Sequence, residues 1–192
     1  MAISNQKDIV RRELLTMRKK LSTDDITRKS GIIERKLNKF LSKIDFNHIL
    51  VYSPVNNEVL TIDIIDFLIR SQKKIYLPAY LKTEDSWILS EFKHFDDLEP
   101  GPFKILQPKN LVPVNVGLIE VAILPGVAFD KNGIRLGYGK GVYDKLLPDF
   151  KGLKIGMAFD FQIVDKIASA KHDLVMDVVF TDKEEYFLST SQ

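Results

Sequence analysis

Residues 124–147 read LPGVAFDKNGIRLGYGKGVYDKLL, and the fold assignment turns on them. The stretch leaves an apolar run, Val121-Ala122-Ile123-Leu124, and breaks at Pro125-Gly126. It is then threaded with Gly133, Gly137, Gly139 and Gly141. Half of the chain's 10 glycines fall between Gly126 and Gly141. Among them stand Arg135, Tyr138 and Lys140, and Pro148 ends the stretch. Glycine adopts positive φ without a Cβ penalty, so a loop this rich in it can turn successive backbone N–H groups inward. Such a loop entering a helix is a seat for an anion, and Arg135 and Lys140 add two cations. Tyr143, Leu146 and Leu147 fall at i, i+3 and i+4 and give the helix one apolar face. The pattern predicts strand, glycine-rich loop, helix, with phosphate as the guest. A Walker A loop ending at Lys140 would need glycine at Ile134 and Ser or Thr at Gly141. A Rossmann fingerprint would need G-x-G-x-x-G, whereas Gly137, Gly139 and Gly141 give G-x-G-x-G.

The flanking sequence supplies the sheet and its helices. Over residues 6–20, Val10, Leu14, Met17 and Leu21 share one stripe, as in an amphipathic helix. Lys7, Arg11 and Arg18 share another. Ser22, with Asp25 three residues on, is an N-cap signal. It opens a second helix carrying Ile26, Ile33, Leu37, Phe40, Leu41 and Ile44. Both helices are expected to be basic on their outer faces. HILVY, residues 48–52, predicts a buried strand broken by Ser53-Pro54. Asn56-Asn57-Glu58 then leads into a helix through Arg70, with Glu58 as a first-turn carboxylate favourable to the helix dipole. Ile75-Tyr76-Leu77 predicts the next strand, ended by Pro78.

This β-α-β order argues for a parallel sheet covered by helices. Residues 81–115 differ. They hold Trp87-Ile88-Leu89, Phe92 and prolines 100, 102, 108 and 113, and predict loops and short antiparallel pieces. Strands are expected at 119–124, at 153–158 with Gly156 allowing a close approach, and at 178–181. A short helix or turn is expected over 161–168, and residues 1–4 and 189–192 are expected to be disordered. The fold class is a Rossmann-like open, mainly parallel α/β sheet flanked by helices, in one domain over 1–192, with a small irregular and antiparallel insertion around 81–115. Ligands of such sheets lie beyond the carboxyl ends of the strands. Segments 53–58, 125–144 and 159–173 all follow strands, and can line one cleft.

Composition sets outer limits. Hydrophobic residues make up 45% and charged residues 28%, ordinary for a globular protein. No run reaches the roughly 18 apolar residues of a membrane span, and the first 15 residues hold no apolar signal-peptide core. The chain has no cysteine, which excludes disulfides and thiolate chemistry and fits a cytoplasmic protein. His48, His94 and His172 show no metal-site spacing. Net charge is +2, but residues 1–43 hold 12 Lys/Arg against 5 Asp/Glu. A basic segment of this kind indicates either an anionic ligand or solvated helix faces.

The order G-x-R-L-G-x-G-K-G-x-Y-D from Gly133 to Asp144, after L-P-G-x-x-F-D, closely resembles the 5-formyltetrahydrofolate cyclo-ligases (5,10-methenyltetrahydrofolate synthetases). The resemblance extends over nearly the whole chain. It implies an ATP- and Mg²⁺-dependent ligase of one-carbon folate metabolism that converts 5-formyltetrahydrofolate to 5,10-methenyltetrahydrofolate and releases ADP and phosphate. It implies ATP contacts at Lys7, Arg11, Arg135, Leu136, Gly137, Tyr138, Gly139, Lys140, Gly141, Val142 and Tyr143. Folate contacts are implied at Ser53, Glu58, Tyr138, Gly139, Lys140, Gly141 and Val142. It also implies that Arg135 and Lys140 act in catalysis and that Asp144 and Asp173 hold Mg²⁺, with Asp177 as the nearby rival to Asp173. Two carboxylates plus phosphate oxygens and water suit that ion. The sequence departs from the family pattern at Val142, where an aromatic is common, and in Gly101–Pro108, where Lys104 replaces glycine and Gln107 glutamate.

Small-molecule substrates (reduced folate and ATP), no nucleic acid and no membrane are expected, with a monomer expected and an oligomer left open. Two other readings fit the bare pattern: a sugar-phosphate isomerase or acyl-transfer protein of related fold, and an RNA-binding module using the basic helices. The chain carries no RRM or KH signature for the latter. Nucleotide-dependent turnover separates the first reading from these two.

Overall fold

The structure, a computed structural model, describes residues 2–168 and 173–188, with side chains from residue 6 onward. Two helices, α1 (Ala2–Lys19) and α2 (Thr23–Leu41), open the chain. Strand β1 (His48–Leu50), helix α3 (Ile62–Arg70) and strands β2 (Lys74–Leu81) and β3 (Ser86–Phe92) follow. Short strands β4 (Leu98–Pro100), β5 (Leu106–Pro108) and β6 (Pro113–Val114) occupy the proline-rich insertion. Then come β7 (Val121–Pro125), β8 (Ala128–Asp130), β9 (Arg135–Leu136) and the five-residue helix α4 (Val142–Leu146). Strands β10 (Leu153–Met157), β11 (Ile163–Val164), β12 (Val178–Phe180) and β13 (Glu185–Phe187) complete the described order.

The main sheet has the order β13-β12-β10-β7-β1-β2-β3-β6. Its five central strands, β12 to β2, are parallel, and the strands beyond them at either edge run antiparallel. The parallel strands, taken in chain order, form the series 2-1-3-4-5. Strand order therefore reverses at β1, and the crevice between the ends of β1 and β7 is the switch point where such sheets bind ligands. Burial on both faces explains the unbroken apolar composition of Val121 to Leu124, all buried. Gly156 does allow a close approach: a Cβ there would lie 2.7 Å from the Phe129 ring and 3.0 Å from Val179.

Several expected boundaries move, each for a local reason. β2 runs through Pro78. Tyr80 N, two residues on, donates to Gln107 Oε1 at 2.9 Å. That is the side of β2 which β3 does not use, and β1 has already ended there, so the missing proline N–H removes no ladder bond. α3 starts at Ile62, which leaves Glu58 in a loop ahead of the helix. Asn56 and Asn57 both adopt positive φ, 50° and 59°, and make a turn where the helix was expected. Ser22 caps α2 as expected, its Oγ accepting from Asp25 N at 3.1 Å. Residues 161–168 hold the last two residues of a 3-10 turn, Asp160–Gln162, and then β11. α1 already begins at Ala2, while Met1 and 189–192 lie outside the described residues, as does His172.

The largest revision concerns α1. Met17 is 47% exposed, whereas Arg18 is 1% exposed. The face turned to the protein carries Lys7, Arg11, Leu14 and Arg18, so the basic stripe points inward. Leu14 packs with Val127, Ala128, Leu136 and Ile167 in a small core separate from the main one.

Candidate active site

A cavity of about 620 Å³ opens at the switch point. All fifteen residues singled out from the sequence line it: Lys7, Arg11, Ser53, Glu58, residues 135–144 and Asp173. Val55, Asn56, Phe103, Ile105, Pro125 and Lys145 complete the wall. Of segment 159–173 only Asp173 reaches the cavity, and residues 169–172 lie outside the described residues.

The glycine loop is built as a cradle, although its surroundings differ from strand, loop, helix. After β7 the chain first forms the β8–β9 hairpin, Ala128 facing Leu136 and Phe129 facing Arg135. Only then does it pass through Gly137–Gly141 into α4, which makes little more than one turn. Gly139 and Gly141 have φ of +82° and +65°, a region that other residues enter only at a cost. α1 lies across this loop, with Arg11 Nε donating to Gly137 O at 2.9 Å. Arg135 is 8% exposed and is held by Nε donating to Pro125 O at 2.7 Å. Its guanidinium carbon stands 4.9 Å from the Tyr143 ring centroid. Burial pulls its pKa below the usual arginine value, while the carboxylates of Asp144 and Asp173 work against that shift. Lys140 is exposed at the cavity edge, its Nζ 5.8 Å from the Phe103 ring.

Beneath the loop lies a buried polar group. Arg18 Nη2 donates to the Tyr138 hydroxyl, and Nη1 donates to Gly126 O at 3.1 Å. Glu58, 4% exposed, accepts Val55 N on Oε2 at 2.9 Å. Among the described residues, Glu58 Oε1 and Arg18 Nε have no hydrogen-bond partner. Burial raises the Glu58 carboxyl above its ordinary pKa, and the nearby Arg18 charge opposes the rise. Tyr138 is pushed up to about 12, by burial and then by the Glu58 charge.

Asp144 and Asp173 both face Arg135, with Arg135 Nη1 and Asp144 Oδ1 4.0 Å apart. Asp173 Oδ2 pairs with Lys7 Nζ at 2.6 Å. Two carboxylates lining one cavity suit an ion that takes its other ligands from phosphate and water. Asp177 is placed elsewhere: its Oδ2 accepts Lys154 N at 2.7 Å and pairs with Lys154 Nζ at 3.1 Å. It does not line the cavity.

The insertion forms the remaining wall. Phe103 and Lys104 have φ of 58° and 65°, so Lys104 occupies a backbone conformation that suits glycine. Phe103 stacks on Trp87 with ring centroids 6.4 Å apart. Ser53 Oγ accepts Leu106 N at 3.2 Å and ties this wall to the end of β1. Gln107 keeps an acceptor where a glutamate would offer one, so that departure leaves the bond to Tyr80 N in place. Val142 sits in the first turn of α4 and packs against the main core. Phe103 and Asn56 had no spacing signal. Arg18 had one, since it shares a helical stripe with Lys7 and Arg11.

Residues 3–182 match the model of the 5-formyltetrahydrofolate cyclo-ligase family. The 5-formyltetrahydrofolate cyclo-ligase of Mycoplasma pneumoniae is 31% identical over 92% of this chain and 99% of its own. That of Saccharomyces cerevisiae is 26% identical over 90% and 93%. The solved structure of Aquifex aeolicus 5,10-methenyltetrahydrofolate synthetase superposes with a TM-score of 0.84 at 30% identity, over 97% of this chain and 94% of that one. No helix among the described residues is long and apolar enough to cross a membrane. The glycine-loop motif, the parallel-sheet architecture and the matched length agree, and the chain belongs to the 5-formyltetrahydrofolate cyclo-ligase family.

Proposed function

We propose that the chain is an ATP-dependent 5-formyltetrahydrofolate cyclo-ligase that forms 5,10-methenyltetrahydrofolate with release of ADP and phosphate. The observation that carries the reading is the convergence of Lys7 and Arg11, Ser53 and Glu58, the 135–144 loop and Asp173 on one cavity at the switch point of the sheet. In this reading Arg135, Lys140 and the glycine-loop amides hold the transferring phosphoryl group, and Lys7 and Arg11 hold the remainder of the triphosphate. Glu58 offers its unpartnered oxygen to the paired N–H donors of the pterin. Tyr138 and Ser53 line the same side.

The formyl oxygen, held against the γ-phosphorus, attacks it; the bond from that phosphorus to the β,γ-bridging oxygen breaks, ADP leaves, and the formyl oxygen becomes part of a phosphorylated leaving group. Nitrogen 10 then attacks the activated carbon and gives up its proton, the carbon–oxygen bond breaks and phosphate departs with the former formyl oxygen. Catalysis of this kind is positioning plus charge neutralisation. Mg²⁺ on Asp144 and Asp173, when bound, supplies further neutralisation of the phosphate charge. Incubation with MgATP and 5-formyltetrahydrofolate, followed by methenyl absorbance, is the test. Product is expected only when both nucleotide and a divalent metal are present. Product formed equally well without nucleotide would contradict the proposal, as would no product at all.

A further inference from the structure

Arg18 does not line the cavity, yet it is buried to 1% exposure directly beneath it. A buried guanidinium is costly unless its charge and donors are used. A leucine in its place would continue the apolar packing begun by Leu14, so docking of α1 does not call for a charge at this position. Its contacts lie on two segments that border the pocket. Nη2 donates to the Tyr138 hydroxyl, the guanidinium carbon is 5.5 Å from that ring centroid, and Nη1 donates to Gly126 O at 3.1 Å. A third segment closes the ring: Asn57 Nδ2 donates to Arg18 O at 3.2 Å, and Asn56 Nδ2 reaches the Tyr138 hydroxyl at 3.5 Å. Next to Tyr138, whose hydroxyl also acts on its carboxylate, Glu58 Oε1 is buried without a hydrogen bond of normal geometry.

We propose that Arg18 is a positioning residue for the folate substrate: it fastens Tyr138 and Gly126 beneath the pocket and sets its charge near the Glu58 carboxylate that accepts substrate N–H donors. This rests on the reading of the cavity as a 5-formyltetrahydrofolate site. The groups whose charges act on Glu58 or are acted on by it are Arg18 from α1, Arg135 from β9, Tyr138 from the glycine loop, Tyr143 from α4 and Tyr52 just after β1. Two of these are cations. Arg135 also faces Asp144 and Asp173. Arg18 is the cation whose charge acts most strongly on Glu58. Removing that charge moves protonation of Glu58 to higher pH, and affinity that depends on the ionised form is lost earlier as pH falls.

Calorimetric titration of 5-formyltetrahydrofolate between pH 5 and 8 tests this without turnover, so failure of the activity and failure of the Arg18 assignment are read separately. Arg18→Met is expected to weaken binding at neutral pH by roughly tenfold or more and to move the acid loss of affinity to higher pH. Arg18→Lys, which keeps the charge, is expected to restore the acid profile. Tyr138→Phe in the Arg18→Met background is expected to add little, because the hydroxyl has already lost its anchor. A folded Arg18→Met protein with wild-type affinity and acid profile overturns the proposal, and so does a wild type that does not bind the folate. If Arg18→Met does not fold, Tyr138→Phe and Arg18→Lys decide. Weaker binding in the first with a retained acid profile in the second supports the assignment, and unchanged binding in Tyr138→Phe overturns it.

Discussion

Lys140 stands exposed at the cavity edge, one residue after the left-handed Gly139 and one before the left-handed Gly141. A cation held that way by its backbone can meet charge as it develops on a transferring phosphoryl group. Lys140→Ala is expected to lower turnover by about 10²–10³ at saturating MgATP, with a smaller change in folate KM, measured by methenyl absorbance. Unchanged turnover would remove Lys140 from catalysis. The sequence motif already placed Lys140, Arg135 and Asp144 in the site, because glycine spacing and charge are written locally. Arg18 and Glu58 were harder to read. Arg18 shares a helical stripe with Lys7 and Arg11, but its burial, like that of Glu58, joins residues far apart in the chain and is not written in either segment.

Elements set how far such side chains can reach. Glu34 on α2 accepts Asp63 N from the first turn of α3 at 3.0 Å and is 3% exposed. Burial, then the Asp63 charge, raises its pKa to about 7. A carboxyl whose folded pKa lies above its unfolded value contributes stability below the unfolded value, and that contribution is lost as pH rises through the folded one. Glu34→Gln keeps an acceptor and drops the charge, so it should stabilise the protein at pH 8 by on the order of 1–3 kcal/mol and have little effect at pH 4. Equal Tm gains at both values would contradict that assignment. Gly156→Ala should destabilise by about 1–3 kcal/mol through overpacking against Phe129 and Val179, with cavity ligand affinities unchanged in the folded protein. α1 shows where periodicity misled: a stripe drawn through Met17 missed that Lys7, Arg11, Leu14 and Arg18 form the inward face. Because Leu14 and Arg18 hold the helix, Lys7→Ala with Arg11→Ala should weaken MgATP binding roughly tenfold while the folded state persists. Calorimetric affinity equal to wild type would return these two residues to a structural role.

At the scale of the molecule, the parallel strands and the glycine loop were legible because apolar runs and glycine clusters are local signals. The β13 edge strand, the β8–β9 hairpin and the shift of α3 past Glu58 were not, since pairing partners and the Asn56-Asn57 turn depend on tertiary contacts. What the whole fold achieves is convergence: the ends of β1 and β7, the inward face of α1 and the insertion wall meet at one crevice. In the proposed reaction this crevice lets the formyl oxygen take the γ-phosphoryl group of ATP. Turnover of 5-formyltetrahydrofolate carrying ¹⁸O in the formyl group tests it most directly, with the released phosphate analysed by mass. One labelled oxygen is expected in each phosphate released, in equal amount to the methenyl product. Methenyl product accompanied by unlabelled phosphate would contradict it.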